Sequence, residues 1–237
     1  MTFSAEEKLM YRVMRAIYES GIPIDFKGSM VLKACLAEAG YYEDIRHTVD
    51  IDANWYSDTL PTIDQMIESL ENALVNHGID LGVRNYRMYG DTRSAGFELT
   101  DLTLNEPVFT MDIDVNRPIQ TTKLYQIEEI RFRGITPNQM MADKISVIST
   151  NKVFRRIKDV IDIFYLSHVF ELNAGELLKT MELNGRSLGD FDGFLHNPQE
   201  LQHAYEKFRL TGDVTKPAFD ELYSKVKTFI GDILPLE

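Results

Sequence analysis

The sequence has a single cysteine, Cys35, among 237 residues. That excludes an internal disulfide and suits a reducing compartment, so a cytoplasmic location is the expectation. It has no apolar run approaching the roughly 18 residues a membrane-spanning helix needs, so no membrane partner is expected. The opening stretch from Met1 to Gly21 carries Glu6 and Glu7 early and lacks an apolar core, unlike a secretory leader. Positive charge is scarce: 25 Lys+Arg stand against 37 Asp+Glu, a net charge of −12. This argues against broad, non-specific binding to phosphate backbones and leaves room only for a local patch, the best candidate being Arg131, Arg133, Lys152, Arg155, Arg156 and Lys158. The five histidines include no His-x-x-x-His pair, so a histidine metal site is not expected. Repeats and Gly/Ser/Pro-rich linkers are also missing.

The residues that are present describe an ordinary globular chain, 44% hydrophobic and 26% charged. Ser4 and Glu7 form a capping-box pattern ahead of Leu9, Met10, Val13, Met14 and Ile17, which recur at helical spacing up to Gly21. A short extended run from Ile22 to Phe26 leads through Lys27-Gly28-Ser29 into a second helix containing Val31, Leu32, Cys35 and Leu36. Residues 48–55 alternate as a strand, and Pro61 opens a helix to about His77. Four strand-like stretches follow, at about 81–89, 95–104, 107–116 and 124–133. After Thr136-Pro137, a helix start with proline at the first helical position, the patterns are all helical: about 138–149, 153–169, 173–182, 198–209 and 217–233. The change of character predicts an α/β lobe over 1–136 and a helical lobe over 137–237.

Three features carry chemistry. Gly28-Ser29 stands between a strand and a helix, where the backbone can approach an anion and the helix N-terminus offers free amides. Asp50 and Asp52 are two residues apart on a strand and therefore share a face, about 6–7 Å apart. Asp112 and Asp114 repeat that arrangement on a later strand. Each feature alone has a bland reading, as a turn or a solvated strand face. Together they are harder to dismiss, because aspartate is depleted in strands and like charges held this close repel unless a cation neutralises them. Hard oxygen ligands of this kind suit Mg²⁺.

The order Gly-Ser, Asp-x-Asp and a later strand carboxylate resembles the nucleotidyltransferase fold of the polymerase-beta superfamily. More specifically, Lys27-Gly28-Ser29-Met30-Val31-Leu32, followed by Arg46-His47-Thr48-Val49-Asp50-Ile51-Asp52, resembles the AbiEii/AbiGii toxin family. So do Lys144 early in the helical half and Arg156-Ile157-Lys158-Asp159-Val160-Ile161-Asp162 after it. Ser29 stands where the family has a second glycine, and Met30 where threonine or serine is usual.

The resemblance implies an α/β (α+β) nucleotidyltransferase lobe with a mixed sheet, followed by an all-helical lobe, with the active site in the cleft between them. It implies transfer of NMP from an NTP to an RNA (tRNA included) or protein acceptor, as the toxin of a toxin–antitoxin or abortive-infection pair with a cognate antitoxin. Mg²⁺ or Mn²⁺ would be held by Asp50 and Asp52 with Asp112 or Asp114. Lys27, Gly28, Ser29, Arg46, Thr48 and Lys144 would face the nucleotide, and Asp159 or Asp162 would serve the acceptor. The alternatives are an aminoglycoside-type small-molecule nucleotidyltransferase and a non-catalytic nucleotide-binding protein of the same fold. A bottom-up view of the helical half makes Arg155–Asp159 and Lys158–Asp162 i,i+4 neighbours, whose bland reading is an exposed, salt-bridged helix face. It also places Lys144 and Asp159 at similar heights in a helical hairpin.

Overall fold

The computed structural model describes residues 3–43, 45–88, 93–115, 120–212 and 214–235. It divides into two compact units: Met1–Glu38, His47–Arg117 and Thr122–Ile135 form one, while Ala39–Arg46, Pro118–Thr121 and Thr136–Glu237 form the other.

The first unit is built on a seven-stranded mixed sheet. Helix α1 (Ala5–Glu19) starts where the capping box predicts: Glu7 N donates to Ser4 Oγ at 3.1 Å and Ser4 N donates to Glu7 Oε2 at 3.0 Å. Strand β1 (Ile24–Lys27) runs directly into α2 (Gly28–Glu38), followed by β2 (Asp50–Trp55) and α3 (Ile63–Asn76). Thr62, not Pro61, caps α3, and Gln65 completes a second capping box. Strands β3 (Leu81–Arg87), β4 (Ser94–Asp101), β5 (Pro107–Val115), β6 (Thr122–Ile127) and β7 (Ile130–Ile135) complete the sheet, in the order β3-β4-β5-β2-β1-β7-β6.

The stretch expected as one strand at 124–133 is therefore a hairpin. Its turn is Glu128-Glu129, with Glu128 at φ +53°. It carries no glycine, asparagine or proline, so period-2 alternation runs through it without punctuation. Gln126 supplies what the turn sequence lacks, donating to Glu128 O at 3.1 Å while accepting from Arg131 Nε at 3.1 Å.

The central strands show why four aspartates are tolerated in β structure. In β5, Met111, Ile113 and Val115 are fully buried on one face while Thr110, Asp112 and Asp114 take the other. Burying each apolar side chain contributes about 1.5–3 kcal/mol. The unfavourable strand propensity of aspartate spans only about 1 kcal/mol, so the buried face dominates.

The second unit is helical among its described residues: α4 (Pro137–Ile148), α5 (Ile157–Leu166), α6 (Ala174–Leu183), α7 (Asp192–Leu195), α8 (Pro198–Lys207) and α9 (Phe219–Phe229). Thr136 caps α4, accepting from Gln139 N. The helix expected over 153–169 is interrupted: Asn151–Arg155 is a 3₁₀ segment, Arg156 leaves helical geometry at φ −124°, and α5 begins only at Ile157. The final helix likewise ends at Phe229, followed by a 3₁₀ turn at Gly231–Ile233, and α7 was not expected from the sequence. Among the described residues, no helix is long and apolar enough to cross a membrane.

Candidate active site

Strand register assembles the acidic face of the first unit. Parallel pairing of β2 with β5 sets Asp50 opposite Thr110, Asp52 opposite Asp112 and Asn54 opposite Asp114. Antiparallel pairing of β1 with β2 sets Lys27 opposite Asp52. Neighbouring strands lie about 4.8 Å apart, so Asp52 and Asp112 are immediate cross-strand neighbours, with Asp50 two residues along the same face.

Each carboxylate has a distinct environment. Asp50 Oδ1 accepts from Thr48 Oγ1 at 2.7 Å. Asp52 lies against Gly28 at the β1–α2 junction, where a Cβ would collide with its carboxylate and where φ is +73°. Two independent constraints thus demand glycine there: the left-handed backbone and the close approach. Asp112 Oδ1 accepts from Tyr86 Oη at 2.7 Å and pairs with Arg87 at 2.9 Å. The Tyr86 ring reaches this position by lying over Gly96, where an added Cβ would meet it at 2.5 Å. Burial, then the hydrogen bond and charge of Asp112, push the Tyr86 hydroxyl up to about 12, so it stays a donor at neutral pH. Asp114 is paired with Lys27 Nζ at 2.6 Å, and the same ammonium donates to Asn54 Oδ1 at 2.9 Å.

This separates the two β5 aspartates that the sequence left equivalent. Each has a cation beside it, Arg87 and Lys27 respectively, but Asp112 faces Asp52 whereas Asp114 faces Asn54. Among the described residues, no three Asp, Glu, His or Cys side chains are already gathered into a metal-holding group. The donor chemistry still fits a hard divalent cation: Asp50, Asp52 and Asp112 present carboxylate oxygens on one sheet face, and their mutual repulsion favours a cation.

Gly28→Ala is expected to lose about 1–2 kcal/mol through the left-handed backbone alone. In a chain this size that lowers the thermal midpoint by about 2–8 °C. The displaced Asp52 carboxylate should also weaken divalent-metal binding. Parent-like melting and metal binding in this variant would remove the close approach from the account.

The second unit holds a buried charge network. Asp162, 1% exposed, accepts from Arg46 Nε at 3.3 Å and Nη2 at 3.2 Å, and from Lys144 Nζ at 2.6 Å. Asp159, 2% exposed, takes Lys144 at 3.4 Å and Arg156 Nε at 2.7 Å. Lys144 on α4 and Asp159 on α5 thus meet as the hairpin reading expected. The exposed charged face is corrected: both aspartates are buried, and they engage Arg156, Lys144 and Arg46. Burial pushes the Asp162 carboxyl up, but Arg46 and Lys144 outweigh it and hold the group at about 2. Burial likewise pulls Lys144 down, and the Asp162 and Asp159 carboxylates overcome it, leaving the ammonium above its ordinary value. Of the basic patch, Arg131 and Arg133 lie on β7, with Arg133 bonded to Asp25, while Lys152, Arg155, Arg156 and Lys158 cluster around the 3₁₀ segment and the start of α5.

Several partners were not visible in the sequence. Tyr86 and Arg87 carry no motif, and their contact with Asp112 depends on Gly96 on the neighbouring strand. Glu7 looked like a capping residue only, yet it is fully buried and bonds Lys33 and the Thr48 amide. Lys33, the one cation on α2 and set among apolar neighbours, was the available signal.

No curated protein matches the chain by sequence. Among solved structures, MenT4, a nucleotidyltransferase toxin from Mycobacterium tuberculosis, superposes with a TM-score of 0.63 at 14% identity, covering 98% of this chain and 84% of that one. An antigenic nucleotidyltransferase-like protein from Paracoccidioides brasiliensis gives a TM-score of 0.48 at 14% identity, covering 89% of this chain and 96% of that one. The sequence model of the nucleotidyl transferase AbiEii toxins of type IV toxin–antitoxin systems matches residues 9–225. With its mixed sheet, its acidic strand face and a family match across nearly its whole length, the chain belongs to the AbiEii nucleotidyltransferase toxin family.

Proposed function

We propose that this chain transfers NMP from an NTP to a hydroxyl of an RNA (tRNA included) or of a protein. The observation that carries the proposal is the register placing Asp112 beside Asp52, with Asp50 on the same face and the N-terminus of α2 at Gly28 against Asp52. Asp50, Asp52 and Asp112 would hold Mg²⁺ or Mn²⁺, which when bound supplies charge stabilisation for an in-line displacement at the α-phosphorus. Gly28 and Ser29 open α2, whose free amides and positive dipole end suit the β- and γ-phosphates. The acceptor oxygen bonds to the α-phosphorus as the bond to pyrophosphate breaks, and the acceptor proton passes to a carboxylate.

In the second unit, Lys144 is proposed to pair with phosphate charge, and Asp159 and Asp162, both buried against it, to hold its ammonium in place. Lys27 and Arg46 are proposed as further cations for the nucleotide, each positioned by a carboxylate, Asp114 and Asp162 respectively. A cognate antitoxin is the partner proposed from the family.

Incubation with each α-labelled NTP, Mg²⁺ or Mn²⁺, and either total RNA or cell protein tests this directly. Label should appear in one macromolecular fraction. Label found only on a small cationic amine would replace the macromolecular acceptor with the small-molecule reading.

A further inference from the structure

We infer that Thr48 is a positioning residue for Asp50 and that the buried Glu7–Lys33 ion pair holds Thr48 in place. The inference rests on the metal-assisted reading of the acidic face. Strand β2 begins at Asp50, and residues 45–49 before it have no regular secondary structure of their own. Asp50 therefore sits at the end of a strand, where carboxylate orientation needs support from outside the ladder.

That support comes from α1 and α2. Glu7 is 0% exposed, and its Oε1 accepts from the Thr48 amide at 3.2 Å and from Lys33 Nζ at 2.5 Å. Its Oε2 accepts from the Ser4 amide at 3.0 Å and lies 3.3 Å from His47 Nδ1. A carboxylate has about four acceptor sites, so these partners saturate it. Lys33, 1% exposed, supplies the compensating charge. A buried ion pair is a weak source of stability, because apolar residues of similar volume often serve as well. What this pair does beyond packing is fix an amide in the segment leading to the acidic strand.

Thr48 passes that constraint on. It is 4% exposed, and its hydroxyl donates to Asp50 Oδ1 at 2.7 Å, with the Asp50 carbonyl at 3.3 Å. Though named above for the nucleotide, this hydroxyl is bonded to the carboxylate. Holding Oδ1 leaves Oδ2 to face a cation in a fixed orientation. Hydrogen bonds to metal-ligating carboxylates typically matter by about 10–100-fold in affinity.

The test is calorimetric Mn²⁺ titration of the full chain, with thermal melting in metal-free buffer as control. Thr48→Val keeps the shape and removes the hydroxyl, and it should bind Mn²⁺ about 10–100-fold more weakly than the parent with a near-parent melt. Thr48→Ser keeps the hydroxyl and should restore the affinity. Glu7→Met/Lys33→Met removes both charges together while filling their space, and it should also weaken Mn²⁺ binding. Parent-like affinity in Thr48→Val, or failure of Thr48→Ser to restore it, overturns the role of the hydroxyl. Parent-like affinity in the double variant overturns the role of the ion pair. A parent that binds no Mn²⁺ overturns the metal reading itself, a result distinct from the other two.

Discussion

Replacing Asp52 by asparagine is expected to abolish nucleotidyl transfer while leaving the fold intact. Asparagine has nearly the same shape, so the close approach to Gly28 survives the change. What disappears is one of three carboxylate charges gathered by the β1-β2-β5 register. Loss of a single preorganised electrostatic group typically costs about 10²–10³-fold in rate, and a carboxylate proposed to ligate a metal as well should reach at least that. The melting midpoint in metal-free buffer should stay the same or rise slightly, since a like-charge repulsion is relieved. Asp50→Asn and Asp112→Asn should behave alike. Asp114→Asn is the informative contrast, because that carboxylate faces Asn54 rather than a second aspartate. It should retain transfer within a few-fold, and rate measurements on the four variants check the assignment of Asp112 over Asp114.

The largest stability effect is expected at Asp162. Asp162→Ala removes the buried carboxylate shared by Arg46 and Lys144, leaving Lys144 with Asp159 at 3.4 Å. Breaking a buried ion pair by removing one partner costs about 3–5 kcal/mol. For a chain of this length that is a fall of about 6–20 °C in the thermal midpoint. The pH dependence follows from the lowered carboxyl, held at about 2 against its ordinary 3.8. Asp162 therefore stabilises the fold fully above about pH 4, and the contribution, on the order of 2 kcal/mol, is lost as pH falls through 2. Lys144, raised by its carboxylates, stays charged across that window, and its contribution is lost only as pH rises past its folded value. Denaturant unfolding of parent and Asp162→Asn should thus diverge most near neutrality and converge as the pH approaches 2. A gap that stays constant between pH 7 and pH 2 would show that Asp162 is not the ionised centre of the network.

Local signals in the sequence were legible where short-range chemistry settles the structure. Ser4 with Glu7 placed the start of α1, Thr136-Pro137 placed α4, and the Asp-x-Asp alternation placed four aspartates on strand faces. Register was not legible. The β2–β5 pairing joins strands more than fifty residues apart, and only that pairing distinguishes Asp112 from Asp114. The ion partners of Lys27 and Arg46 are long-range in the same sense, so the sequence showed these cations without matching them, whereas hairpin spacing did bring Lys144 to Asp159. Glu7 was hidden for the opposite reason: its capping role explained it completely, which concealed its second bond to Thr48. The β6–β7 turn escaped because Glu128 adopts a left-handed backbone that the sequence does not advertise.

The acidic face of the first unit is proposed to carry nucleotidyl transfer, and comparing α- with γ-phosphate label in parent and Asp52→Asn protein puts that assignment to the test. With the parent, α-label should become attached to acceptor and γ-label should leave with pyrophosphate, while Asp52→Asn should attach neither. Transfer of γ-label to the acceptor, or parent-level attachment of α-label by Asp52→Asn, would take the reaction away from this face.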